Sequence, residues 1–429
     1  MSPTLSARAV AFAAVRRVVE AGGYSTIVVP NALAKSSLDV RDRAFAADLA
    51  YGTIRRLRSL DWAIEQRSSR PVARMSSVAR DVLRLGAYQL LFTGAAHHAA
   101  VGETVSLAAP KERGFVNAVL RKLASDPPAW PTGEGDADIA VRTGMHPWAV
   151  TELRRLVGDE ASEAAEALAS HGLLCLRANT RLTTVEALEA DLKAVGRTVT
   201  RTPLDPTCLL VDGGDPAGFP GFADGLFAIQ DQASAFVVRA LDPRPGERIL
   251  DACAAPGGKA HYAAGLVGDE GLVVAADLHP QRTAMVRRGA DRLQVRVATL
   301  AQDAISPALR GTFDRVLVDA PCSGIGSARR RPELLWRPRK EAISQLARLQ
   351  VAIASASADL LRPGGRLVYS VCTFPRAETD AACDAILRHR PDLVPIEIEG
   401  PGGPAIRVRI WPHRHGADGM FVAAFERRS

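Results

Sequence analysis

Residues 250–259 of this 429-residue chain read Leu250-Asp251-Ala252-Cys253-Ala254-Ala255-Pro256-Gly257-Gly258-Lys259. The apolar residues that end at Leu250 are typical of a short buried strand. Two glycines after Pro256 let the backbone bend sharply and approach a ligand without a Cβ in the way, and a helix is predicted to begin near Lys259. In an open α/β sheet, ligands bind outside the carboxyl ends of strands, so this loop is predicted to lie on that rim.

Four more predicted strands follow, at residues 271–277, 295–300, 313–319 and 366–371. Asp277, Asp303 and Asp319 stand at or just after the ends of three of them, so with Asp251 four carboxylates fall at predicted strand ends. Asp277 follows Asp251 by about 26 residues, close to the spacing at which Rossmann-like folds place a carboxylate on a ribose hydroxyl. The predicted fold class is α/β, with a Rossmann-like sheet.

Each of these features also has a structural explanation. Glycine turns after strands are common, and an acid at a strand end is often only a helix N-cap. Their serial order nevertheless favours a cofactor site. The loop lacks the G-x-G-x-x-G spacing of dinucleotide folds, and Ala260 stands where a P-loop has Ser or Thr. A nucleoside cofactor without a pyrophosphate therefore fits better.

Length and composition set the broad class. A chain of this length is expected to hold two or three domains, and its hydrophobic content of 47% is ample for buried cores. No run of 18 apolar residues and no signal-peptide pattern occur, so the expected location is cytoplasmic. The six cysteines contain no C-x-x-C pair, so reduced thiols and no metal site are expected.

Residues 1–130 are predicted to be all-helical and basic. They hold 18 Lys and Arg against 10 Asp and Glu, whereas the rest of the chain holds 36 against 37. Helical apolar spacing begins near Leu5, Asp39, Ser76 and Arg113, with Asp39 and Ser76 as predicted N-caps. Such a face suits nucleic acid, although a solvated surface gives the same pattern. The arginines expected outside are Arg16, Arg17, Arg55, Arg56 and Arg58.

Two further domains are predicted. A turn-rich linker at 126–135 leads to a small α+β module at 138–225, which is predicted to link domains and bind RNA. Its predicted helices are 148–156, 161–170 and 184–195, and its predicted strands are 173–178 and 208–211. The main α/β domain is predicted at 226–429.

Two cysteines stand on rim loops of that domain, in Asp319-Ala320-Pro321-Cys322-Ser323-Gly324 and Ser370-Val371-Cys372-Thr373. A lone cysteine is usually a small buried apolar residue, but two beside a cofactor loop favour catalysis. Methylation of a pyrimidine at carbon 5 needs both a thiol and a nucleoside cofactor, because carbon 5 attacks the methyl group of S-adenosylmethionine only after a thiolate adds to carbon 6. The chemistry leaves open which cysteine attacks.

This chemistry also needs a group that binds the base and a group that favours the thiolate. Asp319 would bond the base and stabilise the intermediate, and Lys259 would help to keep the thiol ionised. The target base must leave its stack to be reached.

These motifs resemble those of the Sun (Fmu, RsmB-like) group of RNA cytosine-5 methyltransferases, and the resemblance covers nearly the whole chain. It implies that residues 1–130 form a NusB-like RNA-binding domain, which favours small-subunit (16S) rRNA over tRNA as the substrate. Three further segments carry the resemblance: Gln230-Asp231-Gln232-Ala233-Ser234, Arg331-Pro332-Glu333-Leu334-Leu335-Trp336 and residues 412–421.

The resemblance also implies roles for single residues. Cys372 attacks the base and Cys322 assists release of the product. Asp277 binds the ribose of S-adenosyl-L-methionine, Asp303 its adenine, and Asp319 lies between the cofactor and the base. The methionine moiety is assigned to Cys253, Ala254, Ala255, Pro256, Gly257, Gly258 and Lys259.

A basic cluster after the Cys322 loop is predicted to contact RNA phosphates: Arg329, Arg330, Arg331, Arg337, Arg339 and Lys340. The expected partner is RNA, either small-subunit rRNA or an assembly intermediate, with no membrane partner, and the chain is expected to be a monomer. Two alternatives stay open at this point, a tRNA substrate and a non-catalytic RNA-binding assembly factor.

Overall fold

The computed structural model describes residues 6–428, which form two compact units. The first holds the described residues up to Ser170 together with Ala328–Pro338. The second holds His171–Ser327 and the described residues from Arg339 onward. The predicted domain boundaries at 130, 138 and 225 stay a prediction.

Helices build the first unit in the part of the chain that is described. The predicted N-caps Asp39 and Ser76 are confirmed, because their side chains accept hydrogen bonds from the backbone N–H groups of Asp42 and Ala79 at 2.8 and 3.1 Å. The helices are α1 Ala7–Val19, α2 Ser25–Ala34, α3 Val40–Arg55, α4 Leu57–Glu65, α5 Ser77–Phe92, α6 His97–Val105, α7 Arg113–Ser125, α8 Asp136–Thr143, α9 Pro147–Val157 and α10 Ala161–Ala169.

Three arginines predicted on the outside of the helical domain bind backbone carbonyl groups instead. Arg55 is buried and donates to the carbonyl oxygens of Ser170 at 2.7 Å and Arg329 at 2.9 Å. Arg56 and Arg58 donate to carbonyl oxygens in and just after α8. Burial lowers the pKa of Arg55 to about 10, which still leaves it charged at neutral pH. The prediction that Arg55 lies on the outside is wrong. The last carbonyl groups of a helix have no partner within the helix, and the Arg55 guanidinium donates to such groups.

Residues Ala328–Pro338 pack within the helical unit. The carboxylate of Glu333 is fully buried and accepts hydrogen bonds from the backbone N–H and the hydroxyl of Ser25, at 3.2 and 2.6 Å. The indole N–H of Trp336 donates to a carbonyl oxygen of α3 at 2.7 Å. Arg337 donates to two carbonyl oxygens at and just after the end of α1, each at 2.9 Å. The predicted phosphate contact of Arg337 stays a prediction.

The second unit begins with a four-stranded antiparallel sheet in the order β2-β3-β1-β4, formed by β1 Leu174–Ala178, β2 Val199–Arg201, β3 Cys208–Val211 and β4 Phe227–Ile229. Helix α11 (Val185–Ala194) starts after its N-cap Thr184, whose hydroxyl accepts from the N–H of Ala187 at 3.1 Å. Helix α12 (Gln232–Leu241) follows β4.

The larger sheet has eight strands. Its parallel part consists of β5 Arg248–Asp251, β6 Leu272–Asp277, β7 Ala298–Ala301, β8 Phe313–Asp319 and β9 Leu361–Val371. Antiparallel pairing adds β10 Leu393–Ile396, β13 Arg407–Ile410 and β14 Met420–Arg427, while β11 Ile398–Gly400 and β12 Gly403–Ala405 form a separate pair. The helices of this part are α13 Gly258–Val267, α14 Pro280–Leu293, α15 Lys340–Ala358, α16 Asp380–His389 and α17 Pro412–His415.

The order of the larger sheet is β10-β14-β9-β8-β5-β6-β7, with β13 also paired to β14. From β5 the chain adds strands outward on one side and then returns to add β8 and β9 on the other. The switch point therefore lies between β5 and β8, which is where such sheets bind ligands. The Rossmann-like α/β prediction is confirmed.

Two strands differ from prediction at their starts. Strand β7 begins at Ala298, three residues later than predicted, and β9 begins at Leu361, five residues earlier. Pro363-Gly364-Gly365, a sequence typical of a turn, is thus part of β9, where a register shift against β8 accommodates it. Strand starts depend on pairing partners, which apolar patterning does not reveal.

Candidate active site

The predicted acids lie at the carboxyl ends of the parallel strands. Asp251 ends β5, Asp277 ends β6 and Asp319 ends β8, whereas Asp303 lies two residues beyond β7. Because β5 and β8 flank the switch point, Asp251 and Asp319 stand on either side of the position where a ligand is expected.

Residues 252–257 form the loop between β5 and α13. Gly257 has a φ of +111°, and a Cβ there would lie 2.6 Å from the ring of His261, so only glycine fits. The loop is held by two backbone hydrogen bonds, from Gly257 to Ala254 at 2.7 Å and from Ala254 to Ala276 at 2.8 Å. Burial lowers the pKa of His261 to about 4, so its neutral ring donates from Nε2 to the carbonyl oxygen of Val286.

Asp277 and Asp303 differ in burial. Asp277 is buried, and its carboxylate accepts from the backbone N–H groups of Ala255 at 3.3 Å and His279 at 3.2 Å. Asp303 is exposed and accepts from the N–H of Ile305 at 2.9 Å. Asp277 thus braces the loop, and the cofactor contacts of both acids stay predictions.

Lys259, in the first turn of α13, forms an ion pair with Asp319. Its Nζ lies 2.7 Å from Oδ2, and the hydroxyl of Ser370 donates to Oδ1 at 2.7 Å. Burial by itself would lower the pKa of Lys259, but the charge of Asp319 and its hydrogen bond, with a smaller effect of Cys372, raise it instead. Lys259 therefore stays cationic, and two donors orient the Asp319 carboxylate.

Asp251 is buried, and neither of its carboxylate oxygens has a hydrogen-bond partner at normal distance and angle. Burial and then the charge of Asp319 raise its pKa to about 7. An unpaired buried carboxylate is costly, and such groups occur mainly where a ligand or a reaction uses them. Asp251 therefore indicates a ligand that brings a hydrogen-bond donor.

Cys322 and Cys372 are brought together at the same rim, with their sulfur atoms 3.5 Å apart. The hydroxyl of Ser327 lies 3.8 Å from the sulfur of Cys372. The hydrogen bond to Cys372 and then burial raise the pKa of Cys322 well above its usual value, which makes Cys322 a neutral thiol at neutral pH. Cys253, on the loop, is half-buried, and burial raises the pKa of its thiol too. The other three cysteines are fully buried.

Glu378 is a buried residue whose role has no signal in the sequence. Its carboxylate accepts from the backbone N–H and the hydroxyl of Ser323, at 2.8 and 2.5 Å, and from the side-chain amide of Gln350 at 3.0 Å. The hydroxyl of Ser323 also lies 2.7 Å from that of Thr373. Ser323 and Thr373 each follow one of the two cysteines, so Glu378 ties both cysteine loops together. In the sequence it resembles any charged residue of a surface turn.

The described residues contain neither a membrane-spanning helix nor a metal-binding cluster. No helix there is long and apolar enough to cross a membrane. No group of three or more His, Cys, Asp and Glu residues there is arranged to hold a metal ion.

Three family profiles match successive parts of the chain. The NusB family matches residues 5–125, the ferredoxin-like domain of RsmF/B-like methyltransferases matches 146–216, and the 16S rRNA methyltransferase RsmB/F family matches 238–426. The crystal structure of the protein PH0851 covers 99% of both chains with a TM-score of 0.85 at 25% identity. The fold and its rim loop thus define a Rossmann-like S-adenosylmethionine-dependent methyltransferase fold with a NusB-like helical region.

Relatives that align over the whole chain identify the family. A Mycobacterium tuberculosis protein, provisionally named as a methyltransferase, is 38% identical over 99% of this chain and 97% of its own. Ribosomal RNA small subunit methyltransferase B of Vibrio cholerae is 33% identical over 99% of this chain and 98% of its own. The chain belongs to the RsmB/F family of 16S rRNA methyltransferases, which confirms the resemblance read from the motifs.

Proposed function

We propose that this protein is an S-adenosylmethionine-dependent RNA (cytosine-5)-methyltransferase that acts on 16S rRNA through a covalent cysteine–cytosine intermediate. The observation that carries the proposal is the pair of thiols, Cys322 and Cys372, whose sulfur atoms lie 3.5 Å apart. Membership of the RsmB/F family and the small-subunit names of the relatives support rRNA as the substrate.

The residues around the rim loop suit the proposed cofactor. S-adenosylmethionine supplies an electrophilic methyl group when it is bound. The unpaired carboxylate of Asp251 can accept hydrogen bonds from an ammonium group. The acids Asp277 and Asp303 are suited to ribose hydroxyls and to the adenine amino group, and the bare backbone at Gly257 and Gly258 permits close approach.

Cys372 is proposed as the nucleophile. Its thiolate forms a bond to carbon 6 of cytosine, which makes carbon 5 nucleophilic enough to take the methyl group. The Lys259 ammonium favours the thiolate, because each charge stabilises the other. Transfer of the carbon-5 proton to solvent then expels the Cys372 thiolate and restores the aromatic ring.

Asp319 and Cys322 are proposed to act at the start and the end of this reaction. Asp319 is held by Lys259 and Ser370, but its side chain keeps 28% exposure, so it can still bond the exocyclic amine or N3 of cytosine. Cys322, a neutral thiol beside Cys372, assists release of the methylated product. Both roles require the base to be extruded from its stack.

The experiment is transfer of labelled methyl groups from S-adenosylmethionine to unmodified small-subunit rRNA and, separately, to tRNA. We expect label in 5-methylcytidine of rRNA, lost in Cys372→Ala and kept in Cys383→Ala, whose thiol is fully buried in α16. Thermal unfolding of both variants checks that they fold. Label in tRNA alone would overturn the substrate, and full activity of folded Cys372→Ala would overturn the nucleophile.

A further inference from the structure

Gln230 lies between β4 and α12 with only 6% of its surface exposed. Its side-chain oxygen accepts a hydrogen bond from Nε of Arg177 at 2.7 Å. Arg177 is itself buried, and its guanidinium lies 4.2 Å from the centre of the Tyr262 ring. A guanidinium has only donors, so the amide of Gln230 must present its oxygen to Arg177 and its NH2 group to the opposite side. The orientation of this amide is therefore fixed by charge.

That NH2 group is buried and has no hydrogen-bond partner in the structure. Its position is known from Gly258, the first residue of α13, because a Cβ built on Gly258 would lie 3.7 Å from Nε2 of Gln230 and 3.6 Å from its Cδ. Helix α13 has ten residues, and its N-cap, Gly257, supplies no side-chain hydrogen bond. The first N–H groups of a helix lack partners within the helix. Two sets of donors thus meet beside Gly258: the unpaired NH2 group of Gln230, and the first N–H groups of α13, which no side chain caps.

Such an arrangement is suited to a carboxylate. Unpaired N–H groups and the helix dipole favour an anion at a helix start, and a carboxylate accepts from several donors at once. At the other end of the same loop, the unpaired carboxylate of Asp251 lacks a donor. The polar groups left unsatisfied around residues 251–258 are therefore complementary to an amino-acid group, which carries one carboxylate and one ammonium.

We propose that the side-chain NH2 of Gln230 binds the carboxylate of the methionine moiety of S-adenosylmethionine, and that Arg177 is a positioning residue that holds the amide in this orientation. The inference rests on the proposed use of that cofactor. It explains why a buried donor stays unpaired in the protein alone, since an unsatisfied group of this kind is costly unless a ligand completes it.

The variant Gln230→Glu tests this contact sharply. A glutamate keeps the acceptor for Arg177, so the buried guanidinium retains its partner, but it removes the donor and faces the ligand carboxylate with a second acceptor. Gln345→Glu makes the same chemical change on the exposed face of α15 and serves as the matched control. Calorimetry would measure the affinity of the full chain for S-adenosylhomocysteine and for its decarboxylated analogue, which keeps the amine. Neither ligand carries a transferable methyl group, so binding is read without turnover.

We expect Gln230→Glu to weaken S-adenosylhomocysteine about 10- to 100-fold, the range for a hydrogen bond to a charged group. Its affinity for the decarboxylated analogue should match the wild-type value, and Gln345→Glu should change neither. Arg177→Lys, which keeps a charge but loses the planar fork, should show the same selectivity with a smaller loss.

Three results would overturn the inference. Equal weakening of both ligands would mean that Gln230 only supports the fold. Unchanged binding of both would mean that its NH2 group does not reach the carboxylate. If Gln230→Glu binds both ligands as the wild type does but binds rRNA more weakly, the NH2 group of Gln230 contacts RNA instead. If the wild-type chain binds neither ligand, the proposed cofactor itself fails, which separates that failure from the failure of Gln230.

Discussion

The sulfur atoms of Cys322 and Cys372 lie 3.5 Å apart, although 50 positions separate the two residues in the chain. The parallel pairing of β8 with β9 brings their loops to one rim, and Glu378 then ties the residues that follow them. The proximity of the two thiols is therefore a property of the sheet and of one buried carboxylate.

Replacing Cys322 should leave formation of the covalent adduct intact but slow its breakdown. In Cys322→Ala the Cys372 thiol is still present, so RNA should accumulate bonded to protein while turnover falls by about 100-fold or more, the usual effect of a lost proton-transfer group. Denaturing gels with labelled rRNA measure the adduct. The double variant with Cys372→Ala should show none, and normal turnover without adduct would contradict the assigned role.

The buried carboxylate of Asp251 should make stability depend on pH. Its pKa is about 7 in the folded chain and roughly 3.9 when unfolded, so the folded state holds the extra proton between these values. The free energy of unfolding therefore falls as pH rises through this window. Asp251→Asn cannot ionise, so its free energy of unfolding should not fall in this way. The difference between the variant and the wild type should therefore shift by about 2–3 kcal/mol in favour of the variant between pH 5 and pH 8.

Urea unfolding at several pH values measures this difference. The exposed Asp224 supplies a control, because Asp224→Asn should show no comparable growth across the same range. If the difference in free energy of unfolding between Asp251→Asn and the wild type stays constant with pH, Asp251 does not hold a proton in the folded chain.

Removing Glu378 should disturb both cysteine loops. Glu378→Ala leaves the buried N–H and hydroxyl of Ser323 without their acceptor, which costs about 2–4 kcal/mol of unfolding free energy. Methyl transfer should fall even at temperatures where the variant is folded, because the thiols lose their fixed separation. Denaturant unfolding and single-turnover rates measure the two effects. Glu397→Ala, at an exposed position, should change both by little, and equal effects of the two variants would exclude a special role for Glu378.

Neighbouring basic residues should separate into structural and RNA-binding groups. Arg337→Ala removes two hydrogen bonds within the helical unit, so it should lower thermal stability. Arg339 and Lys340 are exposed, and replacing both by Ala should weaken rRNA binding and reduce the slope of log affinity against log salt by roughly 1.5–2. Filter binding across a salt series measures the slope. An unchanged slope in the double variant would place these two residues away from RNA phosphates.

Much of the framework could be predicted from local pattern. Apolar periodicity located α1, α3, α5, α7, α9, α10 and the parallel strands, and short polar residues located the caps at Asp39 and Ser76. Helices α2, α6 and α8 were not predicted. Because parallel strands place their carboxyl ends at one edge, the rim positions of Asp251, Asp277 and Asp319 followed from the strand order alone. Burial of Arg55 and the early start of β9 could not be predicted, since each depends on partners distant in the chain.

The sequence by itself determined the fold class, the family and the set of reactive groups at the rim, because these depend on residue types at short spacing. Only the tertiary structure decided which groups meet. It brings the two thiols together and places the Glu378 carboxylate against Ser323. It also sets the amide of Gln230 between Arg177 and Gly258. The physical reason is that a hydrogen bond between distant residues requires both to be positioned by packing. A polar residue in the sequence shows that it can donate or accept, but not whether it is buried or which group it will face.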